Sequence, residues 1–202
     1  GDVLETILKS ALSPATVVIY GESGTGKELV AQTIHELSTR NGKPFVTVNC
    51  GAIPENLLES EFFGYKKGAF TGANLDNPGY LDSAEGGTLF LDEVGELDPN
   101  MQAKLLRAIE GGGYTPIGSR EIKKPHIRII AATNRNLLDS VKNGTMREDF
   151  YYRIHIIPIQ LPPLRERKED LPLLIHHFLQ IYSNGKTIPS IPENMMNSMQ
   201  QY

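Results

Sequence analysis

Gly21-Glu22-Ser23-Gly24-Thr25-Gly26-Lys27 is the stretch whose reading decides the fold. It matches the pattern G-x-x-x-x-G-K. It stands between a short β-branched run, Ala15-Thr16-Val17-Val18-Ile19-Tyr20, and a segment with helical periodicity, the context the pattern requires. Glycines let the backbone wrap so that successive N–H groups point inward at an anion. The helix that follows presents its positive N-terminal end to the same anion. Lys27 is placed to reach the β- and γ-phosphates of a nucleotide. A glycine-rich turn that binds nothing is the plain alternative, and the strand–turn–helix context speaks against it. One position departs from the general pattern: Glu28 stands where a Ser or Thr ordinarily ligates Mg²⁺, leaving Ser23 and Thr25 as the nearest hydroxyls.

Outward from this turn, strands alternate with helices. Helices are expected over residues 3–12, 27–39, 54–63 and 99–110, with short ones over 137–143 and 147–153. Leu4, Ile7, Leu8 and Leu12 are read as the apolar side of the first, and Leu29, Val30, Ile34 and Leu37 as that of the second. Strands are expected over 15–20, 45–49, 88–91, 127–132 and 154–160, and residues 111–124 read as a hairpin-type insertion. The alternation predicts an α/β domain, a parallel sheet flanked by helices, over residues 1–163. After Leu161-Pro162-Pro163 the pattern turns helical, with a helix over 170–182 and another from about 193. Residues 164–202 are therefore expected to open a small helical lid.

A second pair of groups belongs with the phosphate turn. Gly86-Gly87-Thr88-Leu89-Phe90-Leu91-Asp92-Glu93 is a turn, an apolar strand, then two acids at its tip. Strand tips in open α/β sheets face the ligand crevice. Asp92 is suited to hold Mg²⁺, and Glu93 to polarise an attacking water. Read alone, the pair is a solvated strand end; beside the phosphate turn it is a hydrolytic site, because phosphoryl transfer rests mainly on positioning and charge neutralisation.

Composition bounds the rest. The chain has 202 residues, 40% hydrophobic, with a formal net charge of -4 and therefore no basic surplus for nucleic acid. Any DNA contact is expected from a separate module. The single cysteine, Cys50, excludes an internal disulfide and reads as a small buried hydrophobe rather than a nucleophile. The five histidines show no metal-ligand spacing, and no apolar run is long enough to span a bilayer. The abrupt ends suggest part of a longer cytoplasmic protein.

Gly68-Ala69-Phe70-Thr71-Gly72-Ala73 narrows the reading. From composition alone it is a plain turn with Phe70 tucked into the core. It spells GAFTGA, however, and resembles the hallmark loop of bacterial sigma-54-dependent transcriptional activators, whose AAA+ ATPase domain the whole chain is similar to. Glu59-Ser60-Glu61-Phe62-Phe63-Gly64-Tyr65 also resembles that family, and Glu28 is normal in its GESGTGKE phosphate turn. The resemblance implies ATP and Mg²⁺ as ligands and a ring oligomer, a hexamer. It also implies that residues 68–73 engage sigma-54 RNA polymerase in a nucleotide-dependent way. It makes Thr133 and Asn134 a γ-phosphate sensor, where the plain reading is a strand-ending cap. It couples Asn49 to Glu93. It makes Arg147 and Arg153, in Met146-Arg147-Glu148-Asp149-Phe150-Tyr151-Tyr152-Arg153, arginine fingers for the neighbouring subunit. The bland alternative for those arginines is intrachain pairing with Glu148, Asp149 or Glu166. Two further readings stay open at this level: a nucleotide-sensing scaffold that does not hydrolyse, and an AAA+ remodeller of another substrate.

Overall fold

The computed structural model describes residues 2–183, which fall in two compact units divided after Leu161. In the first, β1 (Val17–Tyr20), β2 (Phe45–Asn49), β3 (Thr88–Asp92), β4 (Arg128–Thr133) and β5 (Ile157–Gln160) form one parallel sheet in the order β2-β3-β4-β1-β5. The α/β architecture expected from the alternation is thus present. The three inner strands are buried almost throughout, because helices cover both faces. Alternate side chains divide between the two sides. Val18, Leu89, Leu91, Ile129 and Ala131 join one core with α3 (Glu55–Phe63), α5 (Pro99–Ile109) and α7 (Glu148–Ile154). Val17, Ile19, Phe90, Ile130 and Ala132 join the other, with α1 (Asp2–Ala11) and α2 (Lys27–Glu36). Pro158 sits in β5, an edge strand paired only with β1, where a missing N–H costs least.

The outer helices depart from the expected faces. α1 buries Ile7, Ser10 and Ala11, whereas Leu4, Leu8 and Leu12 are exposed. α2 buries Ala31, Ile34 and His35, and leaves Leu29 and Leu37 exposed. The polar groups that enter these faces are paired: Ser10 donates its hydroxyl to Ile7 O at 2.8 Å, and His35 Nδ1 meets Thr88 Oγ1 at 2.9 Å. A four-residue helix, α4 (Tyr80–Ser83), and a 3₁₀ turn at Val94–Glu96 lie where none was expected. Within the insertion at 111–124, Tyr114 and Lys123 form an antiparallel bridge.

α5 starts cleanly. Asp98 accepts the Asn100 N–H at 2.8 Å and the Met101 N–H at 3.1 Å, and Pro99 sets the first turn. Asp98→Ala is expected to lower stability by about 1 kcal/mol, read as a lower urea midpoint at unchanged slope. In the first unit a short α6 (Leu137–Lys142) precedes α7; in the second unit the chain makes two 3₁₀ turns and then α8 (Leu171–Tyr182). The helix expected from about residue 193 lies outside the described residues.

Candidate functional site

Strand register brings the expected groups to one edge of the sheet. Tyr20 of β1 is level with Thr133 of β4, Leu91 of β3 with Ala131, and Asn49 of β2 with Asp92. The turn after β1 and the acids after β3 therefore share a rim. β4 lies between them, so the two are two strand spacings apart, about 10 Å.

The turn itself is built by glycine. Gly24 (φ 78°) and Gly26 (φ 95°) take left-handed conformations, Gly26 as the N-cap of α2. Gly21 is required for room: a Cβ there would stand 2.6 Å from Thr25 Oγ1 and 3.2 Å from Leu161 Cβ. Thr25 Oγ1 donates to Glu22 O at 2.8 Å. Lys27 Nζ reaches back to Gly21 O and Glu22 O, each at 3.0 Å, so the ammonium already lies within the turn. Glu22, Ser23 and Glu28 are exposed. Beside the turn a cavity of about 460 Å³ opens, lined among others by Tyr20, Glu22, Asn134, Tyr151 and Gln160.

Asp92 is half-buried, and its Oδ1 accepts the Glu93 N–H at 3.0 Å. No group of three His, Cys, Asp or Glu placed to hold a metal ion exists among the described residues. A lone carboxylate still suits Mg²⁺, which keeps waters and takes its other oxygens from substrate phosphates. Glu93 has φ 53° and is the one non-glycine with positive φ among the described residues. Its carboxylate lies over Gly51, just after β2; a Cβ on Gly51 would stand 2.5 Å from Glu93 Oε2. Asn49 borders the same spot, but its Oδ1 accepts from the Gly51 and Ala52 N–H groups, each at 3.0 Å. Its hydrogen bonds thus shape the turn on which Glu93 rests.

Thr133 is buried and its Oγ1 accepts the Arg135 N–H at 3.0 Å, so it does cap the strand end, while Asn134 stays exposed at the cavity. Arg135 pairs with Glu96. Sequence reading passed over this ion pair, which ties the β4 tip to the turn after Glu93; the run Asn134-Arg135-Asn136 was its only trace. Cys50 is buried, and desolvation together with Asp92 and Glu93 pushes its thiol up to about 12, leaving it inert as a nucleophile.

Arg147 is the N-cap residue of α7, and Arg153 lies in its last turn. Arg147 forks onto Asp149, Nε to Oδ1 at 3.0 Å and Nη2 to Oδ2 at 2.7 Å, the intrachain pairing foreseen as the bland alternative. The fork holds the Asp149 carboxyl below its usual range. Both arginines are exposed, and Arg153 Nη2 donates to Ile109 O at 3.4 Å.

Residues 68–73 form an arch. Gly68 N–H donates to Ala73 O at 2.8 Å and Ala73 N–H to Phe70 O at 3.0 Å, with Gly68 and Gly72 at positive φ. Phe70 is 46% exposed, its ring 4.9 Å from that of Tyr65, so it is not a core residue. The arch is rooted by the Lys66–Asp76 pair at 2.8 Å, by a Tyr65–Asn77 bridge, and by a bridge from Tyr65 to Ile117 of the insertion. The insertion is in turn held by Asp82, which accepts from Tyr114 at 2.8 Å and Lys123 at 2.6 Å.

The family model for the Sigma-54 interaction domain matches residues 1–160. The chain is 52% identical over 201 residues to a signal-transduction and transcriptional-control protein of Clostridium beijerinckii, covering 98% of this chain and 32% of that protein. It is 51% identical over 199 residues to a putative uric acid sigma-54-dependent transcriptional regulator, UacR, of Escherichia coli K12, covering 97% and 34%. Thus the chain spans about a third of the length of these relatives. Among solved structures, NtrX from Brucella abortus in complex with ATP superimposes with a TM-score of 0.89 at 34% identity, over 100% of this chain and 46% of that one.

Proposed function

The chain belongs to the Sigma-54 interaction domain family, and from that premise we propose that it is the ATP-hydrolysing motor of a transcriptional activator. Its work is to remodel sigma-54 RNA polymerase so that a promoter opens. The observation that carries this is the shared rim: the phosphate turn, the β4 tip and the β3 acids are brought level by parallel register, while the arch at 68–73 stands exposed on the same unit.

ATP would seat its phosphates on the N–H groups of residues 21–28, with Lys27 released from Gly21 O and Glu22 O to neutralise them. Asp92 and the phosphate oxygens would hold Mg²⁺, which supplies further charge neutralisation. Glu93 would orient water, and for that its carboxylate must leave Gly51 and turn toward the phosphates. Asn49, by fixing the backbone of residues 51 and 52, sets the resting place that Glu93 leaves. Thr133 and Asn134 would respond to the γ-phosphate, and residues 68–73 would rise or fold against sigma-54. The working form is a ring, a hexamer, with Arg147 and Arg153 completing the neighbour's site. Its place is the cytoplasm, where polymerase is, and DNA is contacted by a separate domain.

Two inactive proteins test the ring. Mixing Arg147→Ala with Glu93→Gln is expected to restore turnover, because some interfaces then pair an intact Glu93 with an intact Arg147. In the unmixed wild type, Mg²⁺-dependent turnover per protomer is expected to rise steeply with concentration. Turnover independent of concentration, with no recovery on mixing, would mean that each site is complete within one chain.

A further inference from the structure

The ion pair of Arg135 with Glu96 lies beside the phosphate turn, and its arginine faces open space there. Gly21 opens the turn and donates its N–H to Thr133 O at 3.2 Å, so the turn and the β4 tip are bonded neighbours. Thr133 Oγ1 in turn accepts the Arg135 N–H at 3.0 Å. The backbone of Arg135 is thus tied to the strand end that anchors the turn. Among the residues lining the cavity of about 460 Å³ beside the turn, Arg135 is the one Lys or Arg; Glu22 and Asn134 line the same space.

Its guanidinium is held by the 3₁₀ turn that follows Glu93. Nη2 pairs with a Glu96 carboxylate oxygen, and Nη1 lies 3.5 Å from Gly95 O. This hold is weak. The Arg135 side chain is 51% exposed and that of Glu96 35%, and an ion pair so open to water contributes little. The contact to Gly95 O is long for an N–H···O bond. Phosphate oxygens offer the same guanidinium a charge-assisted fork, which is shorter and stronger. Of the two partners, a phosphate within reach prevails.

We propose that Arg135 exchanges partners, leaving Glu96 for the terminal phosphate of ATP, and so sets a preference for ATP over ADP from within one chain. β1 and β4 are adjacent, with Tyr20 level with Thr133, so a phosphate chain leaving the turn toward the β3 acids meets the β4 tip on its way. The third phosphate brings the chain to the guanidinium. With two phosphates the arginine stays on Glu96. Glu96 is then a competitor, an internal anion that occupies Arg135 until the longer ligand displaces it. The inference rests on the reading that residues 21–28 take nucleotide phosphates; it needs neither hydrolysis nor the ring.

Two substitutions with opposite expected signs test it. Binding of ADP and of the non-hydrolysable analogue adenylyl imidodiphosphate, each with Mg²⁺, is measured by calorimetry on the wild type, Arg135→Ala and Glu96→Gln. Arg135→Ala is expected to weaken the analogue about tenfold and to leave ADP unchanged. Glu96→Gln removes the competing charge and is expected to tighten the analogue about threefold, again with ADP unchanged. Unchanged ADP affinity also shows that the turn is folded in each variant. A pair that only braces the fold would make both substitutions act in one direction and on both nucleotides. Analogue affinity unmoved by Arg135→Ala, or lowered by Glu96→Gln, would overturn the exchange, and so would ADP weakened as much as the analogue. A wild type that binds neither nucleotide would overturn the reading of the turn itself, and the exchange with it.

Discussion

Glu93→Gly is expected to abolish ATP turnover and, at the same time, to make the protein melt at a higher temperature. The two effects come from separate properties of one residue. Its carboxylate is the proposed water-orienting group, and losing such a group lowers turnover by about a hundredfold or more. Its backbone holds φ 53°, where a side chain costs about 1–2 kcal/mol and glycine costs far less. Relief of about 1 kcal/mol raises the midpoint of a chain this size by about 2–4 °C. Glu93→Gln separates the two: it keeps the strained backbone, so turnover falls alike while the melting point stays near that of the wild type. A lower melting point for Glu93→Gly would refute the strain; undiminished turnover in Glu93→Gln would refute the catalytic role.

Thr71→Ala is expected to remove promoter opening with sigma-54 polymerase almost completely while ATP turnover stays within about twofold of the wild type. The fold makes no use of this side chain. Thr71 is exposed, its hydroxyl bonds to no described residue, and the arch is closed by backbone hydrogen bonds from Gly68 and Ala73. A surface substitution of this kind changes stability by about 0.5 kcal/mol or less. Any large loss must therefore be a lost contact with a partner. Open-complex formation and turnover measured on the same preparation decide it: a parallel fall of both would place Thr71 in the hydrolytic cycle, and full promoter opening would remove residues 68–73 from the interface.

Much of the rim was legible because its signals are local. A glycine-rich turn between a β-branched run and a helix needs no distant partner to be recognised, and neither do two acids closing an apolar strand. The faces of α1 and α2 were legible only in part: Ile7 and Ile34 are buried as expected, but the leucines around them are not. Leu4, Leu8 and Leu12 repeat at helical spacing and look like a core stripe, yet the sheet accepts Ser10 and Ala11 because the helix lies close. Likewise Ala31 and His35 displace Leu29 and Leu37 on α2, since His35 finds Thr88 of β3, distant in sequence. The positive φ of Glu93 and the rest of its carboxylate over Gly51 follow from how β2 and β3 exit side by side, which no single stretch encodes. The Asp149 fork on Arg147 was named beforehand as an alternative, two residues away being near enough to foresee.

The placing of β4 between β1 and β3 turns the rim into a gauge. The turn proposed to grip phosphate and the acids proposed to act on it are held about 10 Å apart by a strand wholly inside the sheet, a separation that side-chain motion does little to change. A ligand gripped at residues 21–28 and extended toward Asp92 passes over Thr133 and Asn134. The number of phosphates it carries then decides how far across it reaches. A nucleotide one phosphate shorter keeps its grip but stops short of the far side. On the proposed function, discrimination between fuel and spent fuel would thus be a matter of span, set by the order in which five strands are laid down.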